Sequence, residues 1–461
     1  MALQCFNMKS PQLRFFGIFL LILAMTGCGS REKSSENAPT LLPFTTREMK
    51  TAGFWISKYP SPDQIILTPQ DIQTFNQDIQ KKLKFTKDLA QLRVFSGRDL
   101  KNSLEKTWQD FAKGRYFFKN GRTANGYFYQ TIKNNLNLRN IPFSVEPRYG
   151  FIVHFADQRF FPTAEGLFEV KGDQDFDELQ NSDLDAGIPV VILHESQDKK
   201  WLYAVSEISE GWVEKGKVAF CPFEEFRRYS LMQPFIVTTS AKADIFLDSN
   251  LTKHFDYVRM GMKFPLVAQE NSIGFQIVIP YRKENGVSDF AKAFIKREDA
   301  HEGYLDYSVR HSLEQAFKLL NEPYGWGGMY GEQDCSRFLI EVFSTFGVVL
   351  PRDSKNQAQV GKVLAKFQEK TTEKQKLEAL KKDAIGGVTL LTMKGHIMLF
   401  LGFVDNRPYA IHASSAYRER IGSKDIVRLL NRVAVSDLSL GKRTKKRSWF
   451  ERLQSLVLIG K

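Results

Sequence analysis

One cysteine and two histidines in the last third of the chain are the residues whose types and order could carry out nucleophilic chemistry. Cys335 is followed along the sequence by His396 and His412. A thiol beside an imidazole base can attack an amide carbonyl, and a further polar ring can orient that base. These residues predict acyl transfer through a covalent intermediate on sulfur, with one histidine deprotonating Cys335 and the other orienting it.

The segment around Cys335 has the pattern of a loop that leads into a helix. Glycines surround an aromatic pair in residues 323–328, which lets a substrate backbone approach closely. After Cys335, apolar residues recur at helical spacing at positions 338, 339, 342, 343 and 346. Cys335 is therefore predicted at a helix N-terminus, where the dipole lowers the thiol pKa and free N–H groups can form part of an oxyanion hole.

The two histidines belong to a predicted β-hairpin. His396 begins an apolar run that reaches Leu401, and His412 ends the run that starts at Tyr409. Turn-forming residues 405–408 separate the runs, so the strands are predicted to pair antiparallel and to bring the histidines together. The other five histidines fall outside this pattern and are interpreted as structural or surface residues.

The elements upstream change character along the chain. Residues 45 to about 145 indicate a partly helical region, with a helix that opens at Thr68-Pro69. From about 150 to 222, and again from 235 to 290, short apolar runs alternate with turn residues, which is typical of small β-barrels. Ser308 is the predicted N-cap of a helix that delivers the chain to the cysteine segment.

Several blocks of sequence follow one another in a single order. They are Tyr324-Gly325-Trp326-Gly327-Gly328, Asp334-Cys335-Ser336, Leu350-Pro351-Arg352-Asp353-Ser354, Gly395-His396-Ile397-Met398-Leu399 and Ile411-His412-Ala413. Together they resemble the NlpC family of papain-like cell-wall cysteine peptidases over about residues 305–440. The short-strand regions resemble the SH3-like (SH3b) modules of the multidomain branch of that family, which also has an N-terminal clip domain.

The resemblance implies roles for individual residues. By it Cys335 is the nucleophile, His396 the general base and His412 the orienting third residue. The residues implied to lie beside the nucleophile or to hold the substrate peptide and its free amino end are Tyr324, Trp326, Asp334, Ser336, Asp353 and Ser354. Trp326 could instead be a core residue, and Asp334 or Ser336 could simply cap the helix. The sequence departs from the family pattern at Arg337, where a small residue is common, and at Gly387-Val388 in place of Gly-Asp.

The start of the chain resembles an export signal with a lipidation site. Lys9 and Arg14 precede an apolar run at residues 15–25, which is shorter than the ~20 apolar residues of a spanning helix. The run ends in residues 23–28, which resemble a bacterial lipobox with Cys28 as the lipidated residue. We expect an exported, membrane-anchored lipoprotein that faces the periplasm from the outer membrane if the cell has one; an ordinary cleaved signal with a chance cysteine is the alternative.

The predicted fold class is α+β and multidomain, with a partly helical N-terminal domain, two SH3-like β-barrels and a C-terminal papain-like domain. The predicted divisions are a lipoprotein signal peptide (1–27), a flexible tether (28–44), a clip-like domain (45–148), two SH3-like domains (149–228 and 229–303) and an NlpC-type cysteine peptidase domain (304–461).

Composition narrows the class of protein and its partners. The 461 residues carry 65 Lys and Arg against 52 Asp and Glu, a net charge of +13, and are 43% hydrophobic. These values exclude a disordered chain, a collagen and a polytopic membrane protein, and four cysteines are too few for a disulfide scaffold. No histidine, cysteine and carboxylate spacing suits a metal, so no cofactor is expected. The basic run at residues 442–447 is interpreted as a solvated surface near anionic lipid or wall polymer rather than a nucleic-acid site.

The resemblance implies a substrate as well. The expected activity is hydrolysis of a peptidoglycan stem peptide between γ-D-glutamate and a diamino acid, on muropeptides with a free N-terminal L-alanine. Asp334 or Asp353 could pair with the alanine ammonium. Two alternatives stay open, namely an inactive wall-binding lipoprotein and a papain-like amidase or acyltransferase.

Overall fold

Three seven-stranded sheets organise the chain in the computed structural model, which describes residues 35–268 and 273–461. Two of the sheets lie between residues 148 and 302, and the third belongs mainly to the C-terminal part of the chain. The predicted α+β multidomain fold is confirmed. Within the described ranges, no helix has the length and hydrophobicity needed to cross a membrane.

The N-terminal region consists of short elements. Its strands are β1 (Ser35–Asn37), β2 (Ile65–Leu67), β3 (Phe95–Ser96), β4 (Phe117–Phe118) and β5 (Ser144–Val145), and its helices are α1 (Ala52–Ile56), α2 (Pro69–Gln77), α3 (Gly97–Phe111) and α4 (Gly126–Asn135). The helix α2 starts where the sequence predicts, because Thr68 and Asp71 form a capping box.

The first barrel follows directly. Its strands are β6 (Arg148–Ile152), β7 (Ala156–Arg159), β8 (Leu167–Phe168), β9 (Gln180–Leu184), β10 (Pro189–Glu195), β11 (Trp201–Val205), β12 (Glu210–Glu214) and β13 (Val218–Cys221), followed by α5 (Phe223–Leu231). The seven-stranded sheet has the order β13-β6-β10-β11-β12-β7-β9, and β8 pairs instead with β4. The sheet places β9 at its edge, next to the loop that precedes Cys335.

A second antiparallel sheet, which we call the second barrel, covers residues 235–302. Its strands are β14 (Phe235–Thr238), β15 (Lys242–Phe246), β16 (His254–Arg259), β17 (Lys263–Ala268), β18 (Gly274–Arg282), β19 (Ser288–Lys296) and β20 (Ala300–Glu302). Buried apolar residues of this sheet form a separate core, centred on Phe264, Ile277 and Ile295.

The C-terminal region packs helices against a third sheet. Its elements are β21 (Tyr307–Ser308), α6 (Val309–Lys318), α7 (Cys335–Ser344), α8 (Ser354–Gln357), β22 (Lys362–Lys366), α9 (Glu373–Asp383), β23 (Thr389–Met393), β24 (His396–Val404), β25 (Arg407–Ile421), β26 (Lys424–Asp437), α10 (Trp449–Arg452) and β27 (Ser455–Leu458). The strand order is β1-β26-β25-β24-β23-β27-β22. The predicted antiparallel hairpin of β24 and β25 is confirmed, but β25 is longer than predicted, so His412 lies inside the strand rather than at its end.

The helix α7 is held by apolar contacts on the inner face of this sheet. Phe338, Leu339 and Val342 are fully buried and share one core with Ile397 and Leu399 of β24. Their spacing of three and four residues places them on one side of the helix, as the sequence predicts. This packing fixes the N-terminus of α7 against the start of β24.

The predicted clip-like domain of residues 45–148 has no core of its own. Trp55 and Ile72 are buried in the same core as α7 and β24, whereas Leu104 and Trp108 are buried with the first barrel. The prediction that residues 45–148 form one separate domain is therefore wrong for the first part of the segment, which completes the C-terminal region. Local patterns in the sequence show which residues are apolar but not which distant surface covers them.

The predicted tether at residues 28–44 is also too long. β1 pairs in parallel with β26, and Leu42 is 4% exposed. The Tyr409 hydroxyl donates a 2.6 Å hydrogen bond to the carbonyl oxygen of Phe44. Residues 35–44 therefore pack along the C-terminal sheet, although their polar composition is typical of a flexible linker.

Candidate active site

The helix α7 begins at Cys335 because Asp334 caps it. Oδ1 of Asp334 accepts hydrogen bonds from the backbone N–H groups of Ser336 (3.0 Å) and Arg337 (2.9 Å). These bonds satisfy two of the donors that a helix N-terminus leaves without partners. The predicted position of Cys335 at the start of a helix is confirmed, and the residue is 9% exposed.

The loop before α7 lies against the first barrel. Gly327 and Gly328 have φ angles of 60° and 89°, in the left-handed region that favours glycine. A Cβ atom on Gly328 would clash with the carboxyl group of Asp183. The glycines therefore allow the loop to pass directly over the end of β9.

The environment of the Cys335 sulfur contradicts the expectation of a lowered pKa. Burial raises the pKa of the thiol to about 12, and the Asp334 carboxylate adds to this effect. The backbone N–H groups of Ile397 and Ser336 favour the thiolate but do not outweigh the desolvation. The prediction from the helix dipole was wrong here because it did not include how deeply the sulfur is buried.

The two histidines form a chain of hydrogen bonds across three strands. Nε2 of His396 lies 2.8 Å from Nδ1 of His412, and Nε2 of His412 lies 2.9 Å from Oγ of Ser436. Trp449 covers the pair, with its ring centroid 4.5 Å from that of His412. Burial lowers the pKa of His396 to about 3, helped by the Arg452 charge, and burial beside His396 also lowers the pKa of His412 well below its usual value, so both rings are neutral.

This chain couples the tautomers of the two rings, because a donor at one nitrogen requires an acceptor at its partner atom. If His412 donates its Nε2–H to Ser436, its Nδ1 is an acceptor and receives the Nε2–H of His396. Nδ1 of His396 then carries a free lone pair. The arrangement thus prepares His396 to accept a proton through Nδ1.

Tyr324 and Trp326 take up different positions around the loop. Burial raises the pKa of the Tyr324 phenol, and the nearby charges of Cys335 and Asp334 raise it further. Trp326 is 36% exposed, and its ring makes an edge-to-face contact with Phe176 of the first barrel at 5.4 Å. Trp326 is therefore a surface residue between the two domains rather than a core residue.

The side chains of Asp334 and Ser336 already form hydrogen bonds within the protein. Both carboxylate oxygens of Asp334 accept hydrogen bonds from the Arg352 guanidinium, at 3.2 and 2.7 Å. Ser336 Oγ donates to Asp334 and accepts from Arg352. Although burial alone would raise the pKa of Asp334, the Arg352 charge and these bonds hold it below its usual range. The capping interpretation is confirmed for Asp334, whereas the Ser336 hydroxyl bonds to Asp334 and Arg352 and does not itself cap the helix.

Asp353 and Ser354 differ from that pair. Neither side chain has a hydrogen-bonding partner within the described part of the chain, and Asp353 does not cap α8. Solvent reaches Asp353, yet the surrounding protein desolvates the carboxyl and raises its pKa despite the Arg352 charge. Asp353 is thus a carboxyl group in a concave surface, available to a cation.

Three further residues of the site were not assigned a role from the sequence. Ser436 and Trp449 lie outside the matching blocks, and their roles depend on strand register and on the packing of α10. Arg352 lies inside a block, but its partners Asp334 and Ser182 can be identified only from the structure.

Cys28 lies outside the described residues. Cys221 and Cys335 are both free thiols, and they are not paired with each other. Within residues 35–268 and 273–461, no three His, Cys, Asp or Glu side chains are grouped so as to hold a metal ion.

Two parts of the chain match models of known families. Residues 321–424 match the NlpC/P60 family, and residues 167–214 match the SH3 domain of SH3b1 type. The resemblance drawn from the motifs is confirmed for these segments.

Known proteins resemble the chain to different extents. The gamma-D-glutamyl-L-lysine dipeptidyl-peptidase of Bacillus subtilis (strain 168) is 34% identical over 102 residues, which cover 20% of this chain and 34% of that protein. The chain thus spans about a third of the length of this curated relative. An NlpC/P60 endopeptidase from Photobacterium damselae subsp. piscicida superposes with a TM-score of 0.75 at 20% identity, covering 92% of this chain and 99% of the other, and has the same fold. An NlpC/P60 family protein from Bacillus cereus ATCC 10987 reaches a TM-score of 0.43 at 18% identity, covering 60% and 82%.

Proposed function

We propose that this chain, whose residues 321–424 form an NlpC/P60 domain, is a cysteine peptidase that hydrolyses cell-wall stem peptides. The observation that supports the proposal is the spatial arrangement of Cys335, His396, His412 and Ser436. A buried thiol at a helix N-terminus faces the start of the strand that supplies a neutral, oriented imidazole. These are the groups that covalent acyl transfer requires.

The reaction follows from these contacts. Nδ1 of His396 takes the proton of the Cys335 thiol as sulfur attacks the amide carbonyl carbon. Asp334 uses the N–H groups of Ser336 and Arg337, which leaves the backbone N–H of Cys335 for the developing oxyanion. The imidazolium then protonates the leaving amine, and water releases the acyl group and restores the thiol.

The proposed substrate is a stem peptide cut between γ-D-glutamate and a diamino acid. The name of the Bacillus subtilis relative supports a γ-D-glutamyl bond. Asp353 supports recognition of a free N-terminal ammonium, because its carboxyl group has no partner in the described chain. Asp334 is a poor candidate for that role, since Arg352 occupies both its oxygens.

The first barrel supports a preference for short, free peptides. Phe176 packs on Trp326, and Gln180 of β9 lies next to the backbone of Gly327. A barrel in this position bounds the cleft on the side of the Cys335 loop. A peptide that ends in a free L-alanine fits such a bounded cleft better than one that continues into a glycan.

The proposed location is the surface of a membrane, through lipidation of Cys28 after export. The lipobox-like residues 23–28 support it. Only residues 29–34 separate Cys28 from β1, and six residues span at most about 20 Å. The enzyme would therefore lie close to the lipid surface, where peptidoglycan peptides reach it.

Mass spectrometry of defined peptides tests the activity. Wild type and Cys335→Ala are incubated with L-Ala-γ-D-Glu-diaminopimelate and with its N-acetylated form. Release of L-Ala-γ-D-Glu by wild type alone, from the free peptide, is the expected result. No cleavage of either peptide by wild type would contradict the hydrolase and favour an inactive wall-binding protein.

Two other outcomes would test recognition of the free amine and the use of water as the acyl acceptor. Equal cleavage of both peptides would keep the hydrolase and reject recognition of the free amine. Transfer of the acyl group to an added amine, in preference to water, would indicate an acyltransferase.

A further inference from the structure

Five charged side chains meet where the first barrel, the second barrel and α7 come together. Each is at most 4% exposed, and the proposed reaction uses none of them. They are Asp183 and Asp185 of the first barrel, Arg259 of the second, and Arg337 and Glu341 of α7. We call this group the junction cluster.

Arg337 connects the nucleophile helix to the first barrel. Its Nη2 atom donates to Oδ2 of Asp185 at 2.9 Å, and its Nε donates to Oε1 of Glu341 at 3.2 Å. Its backbone N–H bonds to Asp334, the residue that precedes Cys335. The side chain and main chain of one residue, two positions after the nucleophile, therefore join the barrel to the helix cap.

Asp185 is itself fixed from the opposite side. Arg259 donates to its carboxylate through Nε at 3.1 Å and Nη2 at 2.7 Å, and also bonds to Asp183. Although burial would raise the pKa of Asp185, the charges of Arg259 and Arg337 hold it below its usual range. Arg337 therefore meets a carboxylate whose position the two barrels have already set.

A buried ion cluster of this kind adds little net stability, because desolvation of the charges offsets their attraction. What it supplies is a defined geometry. An error of ~1 Å in the position of a reacting group can lower the rate ~100-fold. The position of Arg337 next to the helix cap suits it to control where the sulfur of Cys335 lies.

We propose that Arg337, held by Asp185 and Arg259, is a positioning residue that fixes α7 and the Cys335 thiol to the first barrel. This inference rests on the proposed function for its kinetic consequence. It gives a reason for the large Arg337 side chain at a position where the family that this chain resembles often has a small residue. It also makes the first barrel a part of the catalytic unit.

Three variants test the contact. Arg337→Met removes the charge but keeps much of the side-chain volume, Asp185→Asn keeps the shape of its partner, and Arg337→Lys keeps the charge with a single donor group. We expect Arg337→Met and Asp185→Asn to lower kcat at least ~10-fold with KM nearly unchanged. Arg337→Lys is expected to restore part of the loss. The double variant should be no slower than the slower single one, because both remove the same contact.

A second measurement does not depend on the substrate. In a Cys221→Ala background, iodoacetamide should modify Cys335 faster in Arg337→Met and Asp185→Asn than in the parent, because a loosened α7 exposes the sulfur. Tyr59→Phe is the control for loss of stability, since it removes a 2.9 Å hydrogen bond to the carbonyl of Leu401 away from the junction cluster. It should lower the melting temperature and leave kcat and the alkylation rate unchanged.

The outcomes are distinct. Folded Arg337→Met and Asp185→Asn proteins with the parent kcat and alkylation rate would overturn the positioning role. If Arg337→Met does not fold, Asp185→Asn decides by the same criteria. If wild type cleaves no peptide, the proposed function fails, and the alkylation rates alone decide the role of Arg337.

Discussion

Nε2 of His396 and Nδ1 of His412 lie 2.8 Å apart, across the adjacent strands β24 and β25. The second ring is completely buried and bonds to Ser436 on the next strand. Three neighbouring strands thus fix the orientation of the His396 ring and couple its tautomer to that of His412. The basicity of the candidate base is set by the register of the sheet as well as by its own surroundings.

Ser436→Ala is expected to reduce kcat by about 10-fold, because His412 loses the acceptor that fixes its tautomer. His396→Ala should cost more, on the order of 10²–10⁴-fold, as expected for removal of a general base. Steady-state kinetics on the free stem peptide measures both losses. Ser414→Ala, a buried serine on β25, is the matched control and should retain full activity. Equal rates for the Ser436 and Ser414 variants would contradict the proposed hydrogen-bond chain.

Alkylation of Cys335 should show no inflection between pH 6 and 9. Burial raises the pKa of the thiol to about 12 and lowers that of His396 to about 3, so over this range the pair consists of a neutral thiol and a neutral ring. Cys221, whose pKa burial also raises to about 12, is replaced by alanine so that only one thiol reacts. Iodoacetamide rates followed by mass spectrometry provide the measurement. A rate that rises and levels off near pH 6–7 would indicate a preformed thiolate and contradict this prediction.

Asp353→Asn should selectively weaken the use of peptides with a free amino end. A hydrogen bond to a charged group contributes ~1.5–3 kcal/mol, so kcat/KM on the free peptide should fall by roughly 10- to 100-fold. The much lower rate on an N-acetylated peptide should stay the same. Asp334→Asn serves as a contrast, because it breaks the Arg352 ion pair and should lower the melting temperature. A uniform loss on both peptides would assign Asp353 a structural role.

Glu341→Gln should reduce the dependence of stability on pH. Burial raises the pKa of Glu341 to about 7 despite the charges of Arg337 and Arg259, whereas an unfolded glutamate titrates near ~4.3. Between these values the unfolded chain releases its proton first, so the stability of wild type falls as pH rises and is lowest above pH 7. The variant lacks this loss, which is on the order of 4 kcal/mol. Melting curves from pH 4.5 to 8 compare the two proteins, and parallel curves would show that Glu341 does not titrate in this range.

Cys28→Ser should release the protein into the soluble fraction or block its maturation. The reason is that a serine hydroxyl cannot take the lipid that the thiol accepts. Fractionation of cells that express each form, followed by detection of the chain, is the measurement. If the variant stays with membranes in the same proportion as wild type, Cys28 is not the anchor.

The local features of the site could be predicted from the sequence. The helix start at Cys335, the N-cap at Ser308 and the β24–β25 hairpin depend on neighbouring residues and on hydrophobic spacing, and all three are present. Short-range patterns of this kind are encoded within a few residues of the feature that they specify.

Features that depend on distant contacts could not be predicted. The pKa of Cys335 depends on burial by elements far along the chain. Ser436 contributes through strand register, and Arg337 through Asp185 of the first barrel. Arg337 was visible only as a departure from a family pattern, because its barrel partner Asp185 lies about 150 positions earlier and carries no local signal.

The burial of Trp55 in the core of the C-terminal region constrains how the protein folds. The Trp55 ring lies 5.5 Å from that of Tyr409, so this contact cannot form until the ribosome has passed residue 409. Because translation proceeds at ~5–20 residues per second, Trp55 lacks its Tyr409 partner for about 20–70 s after its own synthesis. Contacts of such high sequence separation form slowly, since a long loop must close first. The core of the C-terminal region is therefore completed by residues about 350 positions apart, and nascent chains lack the assembled thiol–imidazole site until His412 and Ser436 have been synthesised.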